Sequence, residues 1–294
     1  FLVRRFFRIA PFYYLAILIY WFAYDMAAGD FSLQLLLATV FFFNAWSPYL
    51  IPTVPGWTPV PGGWSIGVEF CFYFIFPLLA VLITNVSRSV AFFGVSLLVL
   101  VACSYYGQGL YPEIDPEARS NFLYFWPPNH LVVFSLGFLL YHLVKDDRVR
   151  NWITQSRVAA NHVSAALLLV LAGLSLYGVR KFFDFDSWLP PTHLLLSVLF
   201  VPWALVLILK PEGYAINPAI IGLGKVSFSA YVLHFAVLRY TDRLFGAWWP
   251  FGADGVASIA YELCFLSLAV LITRLVAELS YRIIEQPFVR LGKN

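Results

Sequence analysis

An all-α, polytopic transmembrane helical bundle is the fold class this sequence predicts, and three observations predict it. Of the 294 residues, 61% are hydrophobic and only 12% are charged, against about 45–50% and about 25% in soluble domains. Apolar runs recur along the whole chain, divided by short breaks that carry Pro and Gly. Trp and Tyr gather where those runs end, at Trp46, Tyr49, Trp57, Trp64, Trp188, Trp248 and Trp249, the depth at which an amphipathic ring meets the lipid headgroups. The composition excludes a soluble enzyme and a nucleic-acid-binding module, and no linker, repeat or low-complexity tract divides residues 1–294 into more than one domain.

Nine runs fall near residues 11–28, 31–48, 64–84, 90–106, 121–144, 158–179, 192–209, 226–245 and 256–280, most of them near the length that crosses about 30 Å of hydrocarbon. The breaks at 48–63, 107–116, 190–191, 211–224 and 246–255 supply the Pro and Gly stop signals. Orientation follows from Lys and Arg, which favour the cytoplasmic side. Placing Arg4, Arg5, Arg8, Arg88, the 145–157 and 210–225 segments and the C-terminal end inside puts 13 of the 19 basic residues there. The other loops are acidic, with Asp25, Asp30, Glu113, Asp115, Glu117, Asp184, Asp186 and Asp254.

Arg8 and Arg88 share a side only if one of the three runs between them fails to cross. Run 31–48 is that one, being short and followed by the Pro-, Trp- and Gly-rich stretch 47–63. The expectation is about eight full crossings plus one re-entrant or interfacial segment, with a cytoplasmic C-terminus. Irregular backbone at membrane depth must be buried in protein or line a wet cavity, so this stretch marks a natural place for a site. The chain opens on Phe1, and 11–28 ends in no signal-peptide cleavage pattern; the start reads as a truncation. Cys71, Cys103 and Cys264 are single and apolar in setting, and no His pair has metal-ligand spacing.

Ionisable groups within such helices cost about 2.5–3.5 kcal/mol on insertion scales, so each needs a reason. Ser65, Glu69 and Tyr73 follow one another at single-turn spacing and form a polar stripe on an apolar helix. Glu69 there is either a general base or histidine-orienting group, or a structural link between helices. Ser227, Tyr231 and His234 share a face of a later helix, where His234 is either a proton-transfer group or a packing residue. Arg274 and Glu278, four apart, read as an internal ion pair, and Glu262 as a residue near the outer rim; His130, His142, His162 and His193 lie at or near run ends without an assigned role. Arg4, Arg5 and Arg8 are either a phosphate clamp or positive-inside anchors.

Four stretches carry a resemblance: Arg4-Arg5-Phe6-Phe7-Arg8 with Pro11-Phe12-Tyr13-Tyr14; Trp64-Ser65-Ile66-Gly67-Val68-Glu69 running to Tyr73 and Pro77; Gly224-Lys225-Val226-Ser227 running to Tyr231 and His234; and Ile284-Glu285-Gln286-Pro287-Phe288. In this order the chain resembles acyltransferase family 3, membrane-bound acyltransferases of surface polysaccharides, truncated at the N-terminus. The resemblance implies about ten helices, two of them before the arginines. It implies an acyl-CoA co-substrate, usually acetyl-CoA, held by Arg5 and Arg8 with Arg4 beside them, and no bound cofactor.

It also implies a carbohydrate or lipid-linked glycan acceptor in the cell envelope, and a multi-pass protein of the bacterial inner membrane. Glu69 matches the family's glutamate, and His234 a histidine of the later motif; these are the candidate catalytic residues. Trp64, Ser65, Tyr73 and Tyr231 are the candidate substrate-binding residues, Trp64 and Tyr73 as donors to a developing oxyanion. The departure is that the family's proposed catalytic histidine lies in a helix upstream of Phe1. A transporter or flippase for an envelope glycan or lipid is the rival reading of buried polar groups and broken helices, and a non-catalytic scaffold the third.

Overall fold

A computed structural model of the chain describes residues 1–24, 31–50, 58–175, 190–249 and 255–292, and among them all regular structure is helical. Trp57, Trp188, Asp25, Asp30, Asp184, Asp186 and Asp254 lie outside the described residues. The helices are α1 (Leu2–Ala23), α2 (Leu33–Val40), α3 (Trp64–Leu82), α4 (Val86–Gly109), α5 (Pro116–Phe125), α6 (Pro127–Lys145) and α7 (Asp147–Gln155). There follow α8 (Ala160–Ser175), α9 (Thr192–Leu209), α10 (Pro218–Lys225), α11 (Ser227–Trp248), α12 (Val256–Ser280), a π-helical turn (Tyr281–Glu285) and α13 (Gln286–Leu291).

Among the described residues six helical stretches are long and apolar enough to cross a membrane, and eight if two bent pairs, α7 with α8 at 96° and α10 with α11 at 83°, each count as one span. Their uncovered side chains, such as Phe74, Leu78, Leu169 and Leu263, suit contact with acyl chains. The chain is a multi-pass membrane protein.

The ends have local causes. α9 and α12 occupy the expected 192–209 and 256–280. α1 begins nine residues before its apolar run, because arginines are good helix formers and their long stems reach headgroup depth while the backbone stays helical. Run 121–144 is broken at Trp126, whose extended backbone precedes Pro127; a residue before proline is pushed out of the helical region. Asp115 caps α5 and Asp146 caps α7 by accepting from backbone N–H groups of the first turn. α2 has only eight residues, about 12 Å of rise, so run 31–48 does not cross.

The chain divides into two compact units. The first comprises Phe1–Val40, Pro52–Gly63 and Ile221–Asn294. In it α1 packs on α11, the π turn and α13, and α11 packs on α12. The buried face of α1 runs Ile9, Phe12, Tyr13, Ala16, Ile17, Tyr20, the 3–4 spacing of one helical side. Its tyrosines carry the polar links: Tyr13 Oη donates to Gly63 O (3.3 Å) and Tyr14 Oη to Val40 O (2.9 Å).

The Tyr20 hydroxyl donates to Val232 O (2.7 Å) and receives the Ala236 N–H (3.3 Å). It therefore sits across one step of the α11 ladder, as side chains that bend helices do.

The second unit comprises Phe41–Ile51 and Trp64–Ile220. α6 is its axis, packed on α3, α4, α5 and α9. The α4 side of its core is built from Ser89, Ser96, Leu100, Ser104 and Gly107, small residues that let backbones approach where lipid provides no hydrophobic drive. A cavity of about 1030 Å³ opens between α3 and α6, with stacked Phe72 and Phe134 (3.8 Å) in its wall and Asn85, His142 and Lys145 at its polar end.

The irregular segment 41–50 lies against α3. Phe42 stacks on Phe70 (3.7 Å), Asn44 fills the space that a side chain at Gly67 would need, and Trp46 Nε1 donates to Cys71 Sγ (2.9 Å). Such burial is what irregular backbone in a membrane protein requires.

Tyr49 Oη donates to Glu113 Oε1 (2.6 Å), tying a 3₁₀ turn at Pro48–Leu50 to the α4–α5 loop. That bond holds the Glu113 carboxyl below the usual glutamate range. A carboxyl with a lowered native pKa contributes stability above its unfolded value and loses it as pH falls through the native one. Amide exchange around Tyr49 is therefore expected to accelerate as pH drops below the ordinary glutamate range, and Tyr49→Phe to remove that pH dependence.

Candidate functional site

In the first unit, three of the four sequence motifs converge. Arg4 and Arg8 lie one turn apart on α1, exposed, while Arg5 is half-buried with its guanidinium 5.3 Å from the Phe1 ring centroid. α1 packs against the π turn that carries Glu285. Glu285 is 3% exposed and accepts a hydrogen bond from Ser229 Oγ of α11, which also lies 3.2 Å from Ser280 Oγ of α12. Arg8 stands within electrostatic reach of this carboxylate without touching it.

One carboxylate thus gathers α11, the end of α12 and the arginine face of α1. Multiply positive, accessible and set on a helix end, that face has the chemistry to hold phosphates by charge-assisted hydrogen bonds.

α11 places the other two motif residues of this unit. Tyr231 Oη donates to Gly62 O (2.8 Å), and Gly62 has φ +73°, where a Cβ would meet that same hydroxyl at 2.9 Å; glycine is required there on both counts. His234 Nδ1 pairs with the Tyr231 carbonyl (2.5 Å) and its ring lies 4.0 Å from Phe235. A carbonyl accepts only, so Nδ1 carries the proton and Nε2 presents the lone pair. His234 is half-buried in the turn that the Tyr20 hydroxyl enters.

The expected Arg274–Glu278 pair is a correction. Glu278 binds Arg282 instead (2.6 Å), and Arg274 reaches α10, where its Nη2 would lie 3.2 Å from a Cβ at Gly222. Both partners stand four residues from Glu278, and the one beyond the apolar stretch is the better hydrated choice.

In the second unit, α3 carries Trp64, Ser65, Glu69 and Tyr73. Glu69 is exposed and accepts from Tyr73 Oη (2.9 Å), so Tyr73 bonds the carboxylate. Trp64 stacks on Phe125 (4.5 Å) and lies 5.3 Å from the His130 ring. His130 in turn lies 4.9 Å from His193. Sequence reasoning left those two histidines unassigned and did not single out Glu285; His130 and His193 are 63 positions apart, and only the packing of α6 on α9 joins them.

The sequence profile of the acyltransferase 3 family, described as an acyltransferase domain, matches residues 1–278, ending before Glu285. "Acyltransferase MdmB" of Streptomyces mycarofaciens is 27% identical over 98% of this chain and 73% of that protein. "Putative O-acetyltransferase SACOL0978" of Staphylococcus aureus (strain COL) is 24% identical over 87% of this chain and 41% of that protein. The same figures hold for "Putative O-acetyltransferase SAS0844" of strain MSSA476. The chain therefore spans less than half the length of these staphylococcal relatives. No solved structure matches the chain.

Ser229→Ala removes the donor that Glu285 depends on and leaves a buried carboxylate short of a partner, a loss of about 1–3 kcal/mol. Detergent-solubilised Ser229→Ala is expected to unfold at lower temperature than wild type, and Ser280→Ala by a smaller margin.

Proposed function

Because this chain belongs to the acyltransferase 3 family, an enzyme family that moves acyl groups, we propose that it transfers an acyl group, acetyl first among them, from acyl-CoA to a hydroxyl of a cell-envelope carbohydrate. The observation that carries the donor half of this reading is the accessible arginine face of α1, backed but not neutralised by the buried Glu285–Ser229 pair. Arg5 and Arg8, with Arg4 beside them, hold the CoA phosphates at the inner mouth as fixed charges that position the thioester, which converts an encounter between two molecules into a positioned reaction.

On α3, Glu69 orients the proton-accepting group or the acceptor hydroxyl, and Tyr73 supplies the Glu69 carboxylate with a hydrogen bond. The base is a histidine, as the resemblance implies. As the acceptor oxygen attacks the thioester carbon, its proton passes to that base, and the oxyanion formed needs a fixed donor in a water-poor site; collapse of the intermediate breaks the C–S bond, and the departing CoA thiolate takes the proton back from the base. Trp64 is the side chain offered for it, since the one Tyr73 hydroxyl hydrogen is spent on Glu69. His234, with Nδ1 spent on a carbonyl, presents only a lone pair at Nε2 and serves to accept a proton or hydrogen bond. The positive-inside bias favours the cytoplasmic face for the arginines and for the C-terminal end, and the resemblance implies that the membrane is a bacterial inner membrane.

The test uses the full-length parent protein, reconstituted at matched amounts. Arg5→Ala/Arg8→Ala is expected to weaken acetyl-CoA binding about 10- to 100-fold, as expected for two charge-assisted hydrogen bonds of about 1.5–3 kcal/mol each with part of the loss offset by neighbours. Glu69→Gln is expected to keep binding and lose transfer. Folded proteins that ignore acetyl-CoA and other acyl-CoAs overturn the reading and favour a transporter.

A further inference from the structure

In the second unit, Trp64 opens α3, His130 sits in the first turn of α6 and His193 in the first turn of α9. Their rings form one assembly with Tyr124: Tyr124 lies 5.7 Å from His193 and 5.9 Å from His130, alongside the Trp64 and His130–His193 contacts. All three helices bring their N-terminal ends here. On the positive-inside bias this is the outer end of the bundle.

The polar atoms of this assembly are unevenly spent. His130 is 8% exposed, and its Nε2 pairs with the Tyr124 carbonyl (2.6 Å), which makes it the protonated nitrogen. Asn129 is 1% exposed; its Nδ2 donates to Leu123 O (2.5 Å), while its Oδ1 is buried without a hydrogen bond. Neither ring nitrogen of His193 makes a hydrogen bond, although both are buried; the Asn129 backbone lies close by without reaching bonding geometry. Native proteins rarely leave such groups unmatched, and an unmatched cluster needs a reason.

The unspent inventory is specific. It holds one N–H donor on His193, one lone pair on its other nitrogen, and the Asn129 Oδ1 acceptor, beside the apolar faces of Trp64, Tyr124 and Phe125. A hydroxyl group donates and accepts at once, so it satisfies His193 N–H and one of the two acceptors together. A carboxylate or phosphate accepts only, and would face two acceptors with no cation in the assembly. Aromatic faces with a few convergent polar atoms are the usual lining of a small-molecule site.

We propose that Trp64, His193, Asn129 and His130 form the acceptor subsite, and that the acceptor is a neutral hydroxylated ring, an uncharged sugar unit, rather than an acidic one. The proposal rests on the acyltransferase reading. Glu69 follows Trp64 on α3 by five residues, about 7.5 Å of helix rise, so a hydroxyl bound at this end lies one or two turns from the carboxylate.

The experiment uses the full-length parent in nanodiscs, with methyl β-D-glucopyranoside and its uronic acid analogue as probes, read by saturation-transfer NMR, and acetyl-CoA affinity measured on the same samples. Wild type is expected to bind the neutral glycoside at least 10-fold better than the uronide. His193→Phe and Asn129→Leu are each expected to weaken glycoside binding at least 10-fold with acetyl-CoA affinity unchanged, and His193→Asn, which keeps a donor and an acceptor, to recover part of it. Two independent variants guard against one that fails to fold. The proposal is overturned if wild type binds neither sugar, if the uronide binds as well as the glycoside, or if the folded variants bind the glycoside like wild type, the cluster then holding water only. Loss of acetyl-CoA binding in wild type with glycoside binding intact sinks the acyltransferase reading instead.

Discussion

Glu285 is the group on which the first unit depends. A carboxylate that is 3% exposed in a membrane protein has lost its hydration, a loss of several kcal/mol even after relaxation, and the surrounding residues must replace the water. Ser229 does so from α11 and sits against Ser280 of α12. Arg8 contributes its charge from α1 without neutralising it. That arrangement exists because the chain from Tyr281 to Glu285 winds as a π turn, which shifts the facing of the residues that follow relative to an uninterrupted α-helix. The same turn and α13 form the surface on which the arginine end of α1 packs. The position of the arginines and the burial of Glu285 are consequences of one another.

The second constraint is the one lipid sets on backbone. The described residues between α2 and α3, 41–50 and 58–63, form no α-helix, and every exposed peptide group there would be costly in hydrocarbon. The described part of that stretch is spent on protein: Phe42, Asn44 and Trp46 on α3 in the second unit, and the Gly62 and Gly63 carbonyls on tyrosines of α11 and α1 in the first. Glycine at those two positions is a condition of that closeness, since a Cβ at Gly63 would meet the Tyr13 hydroxyl at 2.6 Å.

What was legible in the sequence follows from range. The apolar runs of α9 and α12 end in prolines, glycines and charges, so their bounds read directly. The parity of the basic loops required that one of three runs not cross, and the shortness of run 31–48 with the Pro-, Trp- and Gly-rich stretch after it picked out which. The split at Trp126 was readable from Pro127 and was passed over because the apolar run continues through it. Arg274 and Arg282 stand equally far from Glu278, so spacing alone could not choose between them. Glu285 stands in the sequence only as one residue of the last matching stretch, without a role until the π turn brings it inward, and Trp64, His130 and His193 meet only through the packing of α3, α6 and α9. The parts of the candidate site carried by one helix were visible; the parts made by several were not.

The most direct measurement is an experimental structure of the full-length protein with a non-hydrolysable acetyl-CoA analogue bound. The account predicts the diphosphate against Arg5 and Arg8 on the first two turns of α1, with Glu285 still buried behind them. A diphosphate held instead at the Asn85–Lys145 end of the cavity between α3 and α6 would contradict it.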